Sequence, residues 1–270
     1  PKEFLIKNQL LIGEGLSEFE ISSKINQYIK LSKNEKKQIN FIGNGIYEHI
    51  IPSIVDFISS RSEFYTAYTP YQPEVSQGTL QFLYEYQTMV CELSGMDIAN
   101  ASLYDGASAV AEACSMSIAY NSKTTILLSD TINPNYINVV KTYFSNNDVN
   151  IEFISNKDGL TNIDELNNNL NDNISCIVIQ SPNFNGLLED WENISKLKEK
   201  YPKICLIAIS DPISLSLIKS PAECGFDIYV SEGQCLGNYL LYGGPYIGIF
   251  AAKMKFARKM PGRIIGRTND

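Results

Sequence analysis

The feature that most constrains the fold of this chain is a regular alternation of short apolar runs with segments of helical period. Runs apolar on both faces are typical of strands buried on both sides, and helical connections join parallel strands. The sequence therefore predicts an α/β domain with a mostly parallel sheet and helices on both faces. The apolar runs are Ile126–Leu128, Ile151–Ile154, Cys176–Ile179, Cys205–Ile209, Ile228–Val230 and Tyr246–Ala252, and the helical patterns between them are Asn135–Phe144, Ile163–Leu170 and Trp191–Tyr201.

Further helical patterns lie ahead of this alternation. Leu16–Ile29 is amphipathic, and a second helix is expected over His49–Ser60, starting near Pro52. A long helix is predicted from Ser76 to Gly95, and an alanine-rich one over Ser108–Tyr120, buried against the sheet. We therefore expect an N-terminal helical arm at 1–60 and the large α/β domain at 61–270.

Composition excludes several classes of protein. The chain has 22 basic and 30 acidic residues, a net charge of −8, which argues against nucleic acid and membrane surfaces as partners. No apolar run approaches the ~20 residues that span a bilayer, and nothing resembles a signal peptide. The cysteines form no C-x-x-C pair, and a single histidine makes a metal site hard to build. We expect a cytoplasmic protein with reduced, buried cysteines and no metal.

Two sites could contact a ligand where strands end, since parallel sheets bind ligands at the carboxyl ends of their strands. Asp105, Gly106, Ala107 and Ser108 precede the alanine-rich helix, whose first N–H groups could hold a phosphate; an ordinary helix start is an equal alternative. Asp211 directly follows the Cys205–Ile209 strand, where a carboxylate could pair with a pyridinium nitrogen. The alternative for Asp211 is a cap or turn residue.

A lysine is missing where such a ligand would need one. A pyridoxal enzyme holds its cofactor as a Schiff base with a lysine on the loop after the next strand. That loop is Ser231–Pro245, and the sequence has no lysine between Lys219 and Lys253. The sequence therefore predicts that this chain does not hold the cofactor covalently.

An aromatic segment, Phe64–Glu74, is rich in tyrosine and proline and has no helical or strand period. Hydroxyl-bearing aromatics on an irregular loop are typical of an interface or tunnel, although they could also fill a core. We expect an ordered loop at the edge of a site; for His49, a structural role is the alternative. The candidates are Tyr65, Tyr68, Thr69, Tyr71, Gln72, Glu74 and His49.

Several long motifs resemble one family. The chain is similar, from about Gly15 onward, to the amino-terminal half, or first subunit, of the P-protein family of glycine dehydrogenase (decarboxylating). The motifs are Tyr65–Gly78, Tyr86–Ser102, Gly243–Tyr246 and Arg258–Gly266. The resemblance implies a fold-type I pyridoxal-phosphate transferase domain, aminotransferase-like, of which the C-terminal small domain is expected to be absent.

The resemblance also implies a reaction and partners. The family uses pyridoxal 5′-phosphate to decarboxylate glycine and passes the aminomethyl group to the lipoyl arm of the H-protein, an oxidoreductase activity. In the family the cofactor lysine belongs to the second P-protein subunit, and its place in this sequence falls near Gln234. The stacking aromatic would fall near Ser129 and Asp130, neither of which is aromatic.

We therefore expect a degenerate partner subunit in a heterotetramer, inactive alone, whose Asp211 and Gly106 turn are vestigial. Two alternatives stay open at this point. One is a self-sufficient pyridoxal lyase or transferase that uses Lys219 or Lys253. The other is a purely architectural subunit whose pocket contributes nothing.

Overall fold

The computed structural model of the chain describes residues 1–6, 11–32, 47–65, 69–240 and 246–268. The chain divides into two compact units, Pro1–Gly43 and Asn44–Asp270. In the first unit, helix α1 spans Glu18–Ser32, which confirms the helix predicted over Leu16–Ile29. Ser17 directly precedes the helix, and the backbone N–H of Ser17 donates to Glu20 Oε2 at 2.8 Å, as in a capping box. The predicted division at residue 60 stays a prediction.

The second unit contains the remaining helices and the sheet. The helices are α2 Ser53–Ser59, α3 Ser62–Tyr65, α4 Gln77–Ser94, α5 Gly106–Asn121, α6 Pro134–Phe144, α7 Ile163–Asn169 and α8 Trp191–Ser195. The strands are β1 Ile98–Ala99, β2 Thr125–Ser129, β3 Asn150–Ile154, β4 Asn156–Lys157, β5 Leu160–Thr161, β6 Ile174–Gln180, β7 Cys205–Ile209, β8 Ile228–Glu232 and β9 Gly248–Ala252. All of the strands predicted from apolar runs are confirmed.

The main sheet has the strand order β1-β9-β8-β7-β6-β2-β3. Strands β3, β2, β6, β7 and β8 run parallel, whereas β9 is antiparallel to β8 and β1 to β9. The direction of the last strand, which the sequence left open, is thus antiparallel. The carboxyl ends of the parallel strands all meet at one edge of the sheet, where ligands of such folds bind.

Two apolar cores cover the two faces of this sheet. Side chains alternate along each strand, so Leu206 faces one core and Ile207 the other. Helices α4, α7 and α8 pack on the Leu206 face, and α5 and α6 on the opposite one. Fully buried alanines of α5, including Ala109 and Ala113, let that helix approach the strands closely. The prediction of helices on both faces is confirmed.

Element ends follow local chemistry. Gly95 ends α4 in the left-handed region at φ 69°, which favours glycine. Pro52 precedes α2, so the helix expected from His49 begins only at Ser53. Helix α8 is shorter than the predicted Trp191–Tyr201 because a 3₁₀ turn, Lys196–Glu199, replaces its second half. Within the described residues, no helix is long and apolar enough to cross a membrane.

Candidate functional site

A cavity of about 250 Å³ lies at the carboxyl ends of β6, β7 and β8. Its rim combines the aromatic rings of Tyr47, Tyr136 and Phe184 with short polar side chains. The polar lining residues are Asn133, Gln180, Asn183, Ser210, Asp211, Ser231 and Glu232. The cavity therefore lies where the parallel sheet predicts a ligand, and it brings Asp211 to that edge.

The end of β8 meets the beginning of α5 through one carboxylate. Glu232 Oε2 accepts the backbone N–H of Gly106 at 2.9 Å. Its Oε1 accepts those of Gln234 at 3.1 Å and Ile247 at 3.2 Å. The N–H that the sequence offered as a phosphate donor is therefore already bonded to an anion of the same chain. Sequence reasoning missed Glu232; a carboxylate directly after the apolar run Ile228–Val230 was the available signal.

The helix-start turn of α5 is closed on itself. Asp105 is the N-cap, and its Oδ1 accepts the backbone N–H of Ser108 at 2.8 Å. The backbone N–H of Asp105 donates to Ser108 Oγ at 3.1 Å, which completes a capping box. Ala107 is buried. These contacts are those of an ordinary helix start, so any role of Asp105, Ala107 and Ser108 toward a cofactor stays a prediction.

Close packing, rather than a ligand, explains why residue 106 is a glycine. A Cβ at this position would lie 2.6 Å from Tyr136 Oη and 2.9 Å from the backbone nitrogen of Glu232. Glycine thus allows the first turn of α5 to approach strand β8 and helix α6 at the same time.

The cavity is electrostatically negative. Burial raises the pKa of Glu232, and its backbone hydrogen bonds only partly oppose the shift. Burial also raises the pKa of Tyr136, and the charges of Glu232, Asp105 and Asp211 raise it further. None of the lining residues that the structure describes is a lysine or arginine. The site would repel a second anion.

Asp211 is a turn residue at the edge of the cavity, and its pairing with a pyridinium nitrogen stays a prediction. It lines the cavity, and its Oδ1 also accepts the backbone N–H of Ile213 at 2.8 Å. Its own carbonyl accepts from Ser214 Oγ at 2.6 Å. Asp211 is therefore a turn residue whose exposed carboxylate remains at the cavity edge.

The expected lysine position holds a structural amide. Gln234 is 4% exposed, and its Nε2 donates to the carbonyl of Asn238 at 2.6 Å. It begins the 3₁₀ turn Gln234–Leu236, which holds the loop after β8. Gln234 cannot form a Schiff base, because an amide nitrogen is not a nucleophilic amine.

The expected place of a stacking aromatic is also polar. Ser129 Oγ hydrogen-bonds Thr131 and Thr161, each at 2.8 Å, and Asp130 accepts from Asn156 Nδ2 at 2.9 Å. A buried carboxylate that sequence reasoning missed, Glu189, supports this region. Glu189 accepts hydrogen bonds from Thr131 Oγ1, Asn183 Nδ2 and the backbone of Thr161, and so holds the cavity-lining loop that follows β6.

These residues do not fit pyridoxal phosphate. The lysine is absent, the Glu232 carboxylate accepts the Gly106 N–H at the start of α5, and the stacking position is polar. Within the described residues, no group of His, Cys, Asp and Glu side chains could hold a metal ion either.

Comparison with known proteins decides the family. The family model described as "Glycine cleavage system P-protein" matches residues 1–270. The chain belongs to the P-protein family. It is 46% identical over 270 residues to the "Probable glycine dehydrogenase (decarboxylating) subunit 1" of Desulforamulus reducens and 47% identical to that of Desulfitobacterium hafniense. Each alignment covers 100% of this chain and 60% of the relative, so the chain spans about three fifths of their length.

A solved P-protein confirms the predicted fold. A crystal structure of glycine decarboxylase (P-protein) of the glycine cleavage system, in inhibitor-bound form, superposes with a TM-score of 0.91 at 36% identity. The match covers 100% of this chain and 60% of that chain. The mostly parallel sheet with helices on both faces is therefore the P-protein architecture, and the resemblance drawn from the motifs is confirmed.

The aromatic P-protein motif lies apart from the cavity. Thr69, Tyr71, Gln72 and Glu74 are all exposed, and none of them lines the cavity. Glu74 instead lines a second, larger groove of about 650 Å³ between α4 and the segment at 265–267. These polar side chains are therefore exposed at the surface, away from the cavity.

Arg263 connects this motif with the closing one. Its guanidinium lies 5.4 Å from the centre of the Tyr71 ring. The segment after it is fixed to α4, since Gln87 exchanges two hydrogen bonds of 2.9 Å with the backbone of Ile265. His49 is half-buried, ahead of α2. Tyr68, the side chain of Tyr65 and the turn at 243–245 lie outside the described residues.

Proposed function

We propose that this chain is the lysine-less part of a glycine decarboxylase, which works in the cytosol with a second P-protein subunit that carries the cofactor lysine. The whole assembly would bind glycine and pyridoxal 5′-phosphate, decarboxylate glycine and deliver the aminomethyl group to the lipoylated H-protein. The observation that carries the proposal is the match of the P-protein family model to residues 1–270. The words "subunit 1" in the relatives' names support a second subunit.

The cavity supports the division of labour between the subunits. Pyridoxal phosphate supplies carbanion stabilisation wherever a lysine and an anion cradle hold it. Here a carboxylate is bonded to the cradle, and the loop after β8 has no lysine. This chain's own residues would instead bind the partner and shape the edge of its site.

The surface supports an assembly. Helix α1 exposes large apolar side chains, among them Phe19 at 84%, Ile25 at 50% and Tyr28 at 57%. Ile54 and Phe57 of α2 are likewise exposed at 54% and 62%. Apolar exposure of this kind is typical of obligate interfaces, which commonly bury more than ~2,000 Å². We expect light scattering to show a stable complex with the lysine-bearing subunit.

The alternative of a self-sufficient enzyme has little geometric support. Lys219 is exposed and paired with Glu192. Lys253 follows β9, at the opposite edge of the sheet from the cavity, and lies 3.9 Å from Asp227. Neither lysine lines the cavity. Borohydride trapping with peptide mapping tests this, because pyridoxyl-lysine in this chain would favour the alternative.

Glycine–bicarbonate exchange at saturating partner tests the proposed role. The isolated chain should be silent, and the reconstituted pair active. Tyr71→Phe keeps the ring, so a hydroxyl that orients substrate or the lipoyl arm should cost about ten- to a hundredfold in rate when it is lost. Gln72→Ala should behave similarly. Tyr143→Phe on α6, another exposed tyrosine, is the matched control and should be neutral.

The outcomes separate the remaining functions. If both loop variants assemble normally and turn over at the parent rate, the loop is scaffolding and the architectural alternative is favoured. If they assemble poorly but the assembled fraction is fully active, the loop belongs to the interface alone. An inactive pair with all components present would contradict the decarboxylase proposal.

A further inference from the structure

The contacts of Glu232 join three separate segments of the P-protein chain. Its carboxylate accepts one backbone N–H from the first turn of α5, one from the loop after β8 and one from just before β9. Helix α5 spans Gly106–Asn121, so its first N–H groups carry the positive end of a long helix dipole. A carboxylate with three N–H donors in this position is bound as an external anion would be.

The position of that carboxylate relates it to a ligand. Glu232 lines the cavity together with Asp211, Ser210 and Ser231. A phosphate group that entered the cavity toward α5 would need the N–H of Gly106, which already donates to Glu232 Oε2. A second anion at this N–H would meet the Glu232 charge, and no lysine or arginine lies among the described lining residues to compensate the two charges.

We propose that the Glu232 carboxylate is a built-in replacement for the phosphate of a cofactor: it occupies the anion cradle at the start of α5 and so keeps phosphate esters out of this chain's cavity. The exclusion of an external anion stands on the contacts of Glu232 alone. That the excluded anion is the phosphate of a cofactor rests on the proposed function. It makes Glu232, in addition to the missing lysine, the residue that determines which part of the assembly can hold pyridoxal phosphate.

The energetics of the site agree with a replaced ligand. Burial raises the pKa of Glu232 although three N–H groups stabilise its charge. The carboxylate is therefore held at a position that desolvates it, as a ligand would be. An ordinary capping carboxylate has another place here, since Asp105 already caps α5.

Removing the carboxylate should open an anion site in the intact chain. In Glu232→Ala and Glu232→Ser the three N–H groups lose their common acceptor, and inorganic phosphate should bind in its place. The melting temperature is measured against inorganic phosphate, with potassium chloride at matched ionic strength. At phosphate about tenfold above its dissociation constant, the variants should gain about 3–6 °C, and the gain should keep rising with the logarithm of the phosphate concentration. The parent chain should gain nothing beyond the chloride series.

Two control variants separate a specific site from general effects of charge. Glu232→Gln fills the same volume and should not respond to phosphate. Glu199→Ala removes an exposed glutamate, so it changes the net charge equally and should also not respond. A response of Glu199→Ala as large as that of Glu232→Ala would show non-specific anion stabilisation and would overturn the inference.

Two further outcomes would also overturn it. One is the absence of a phosphate response in both opened variants. The other is saturable phosphate binding by the parent chain in calorimetry, which can be measured even if neither opened variant folds. None of these readouts involves glycine, so the decarboxylase proposal could fail while this inference stands, and the reverse also holds.

Discussion

Strand β8 has a carboxylate at each of its two ends, one buried and one half-buried, and the two are held in opposite ways. Asp227 immediately precedes the strand, at the edge away from the cavity, and its side chain is 1% exposed. Three lysines surround it: Lys198, Lys253 and Lys255. Glu232 is the last residue of the strand, at the cavity edge, where it accepts hydrogen bonds from three backbone N–H groups.

The pKa shifts express this difference. Burial raises the pKa of Asp227, but the charge and hydrogen bond of Lys198 and the bond to Lys255 outweigh it, so the net pKa is lowered. For Glu232, burial outweighs the hydrogen bonds and the pKa is raised. The surroundings of Asp227 thus favour its charged form, whereas those of Glu232 disfavour its charged form. Residues that serve a site rather than stability commonly show this signature.

The largest expected effect comes from removing the charge of Asp227, which the lysines compensate. Asp227→Asn leaves lysines without their common partner, although their partial exposure lets them turn toward water. We expect the free energy of unfolding in urea to fall by about 2–4 kcal/mol. Glu192→Gln is the control, because its ion pair with Lys219 is exposed and should contribute nothing measurable. Equal effects of the two variants would show that burial does not distinguish these pairs.

The next effect tests the close approach at the cavity end. Gly106→Ala places a methyl group 2.6 Å from Tyr136 Oη and 2.9 Å from the backbone of Glu232, so we expect a loss of about 1–3 kcal/mol in urea unfolding. Gly78→Ala in α4 is the matched control, since its Cβ would meet nothing within 4 Å. It should gain roughly 0.4–1 kcal/mol. If Gly106→Ala left the free energy of unfolding unchanged, close packing would not be the reason for a glycine at this position.

The helices and strands with a regular apolar period could be predicted from the sequence. Strand β8 followed from Ile228–Val230, because a run that is apolar on both faces needs cover on both sides. The long helix α4 followed from its apolar face and from Gly95. The two-residue strands β1 and β4–β5 were missed, since such short segments have no period to detect.

The site was less predictable, because its contacts join distant parts of the chain. Asp211 was found, since a strand end is a local signal. Glu232 was missed because its bond to Gly106 spans 126 residues and no local pattern encodes it. Gln234 was located only through the P-protein resemblance. Family motifs therefore identified the family, whereas only the three-dimensional structure revealed the bond between Glu232 and Gly106.

A smaller effect tests the opposite signs of the two shifts. A raised carboxyl pKa means that the folded state binds the proton more tightly, so the contribution of Glu232 is present below its ordinary pKa of 4.5 and is lost as pH rises through the raised value. A lowered carboxyl pKa gives the opposite dependence of stability on pH. The contribution of Asp227 is present above its ordinary pKa of 3.8 and is lost as pH falls through the lowered value.

Unfolding in urea across acidic pH measures both slopes. Between pH 4.5 and neutrality, the parent should lose stability relative to Glu232→Gln; below pH 3.8, it should lose stability relative to Asp227→Asn. Asp105, Asp211 and Tyr136 lie near Glu232 and are unchanged in the variant. If the parent instead gained stability relative to Glu232→Gln as the pH rises, the assigned sign would be wrong.

The smallest effect distinguishes two lysines that face the same atom. Lys255 Nζ lies 2.8 Å from Asp227 Oδ1, and Lys253 Nζ lies 3.9 Å from it; their side chains are 37% and 35% exposed. Because exposure is nearly equal, the comparison isolates direct contact from distance. Solvent screening limits both, so we expect Lys255→Met to cost about 1 kcal/mol and Lys253→Met about 0.3 kcal/mol or less. If the two lysines contribute equally in urea unfolding, Asp227 is stabilised by the general positive charge at this edge of the sheet, and the contrast with Glu232 would then be one of surrounding charge rather than of specific partners.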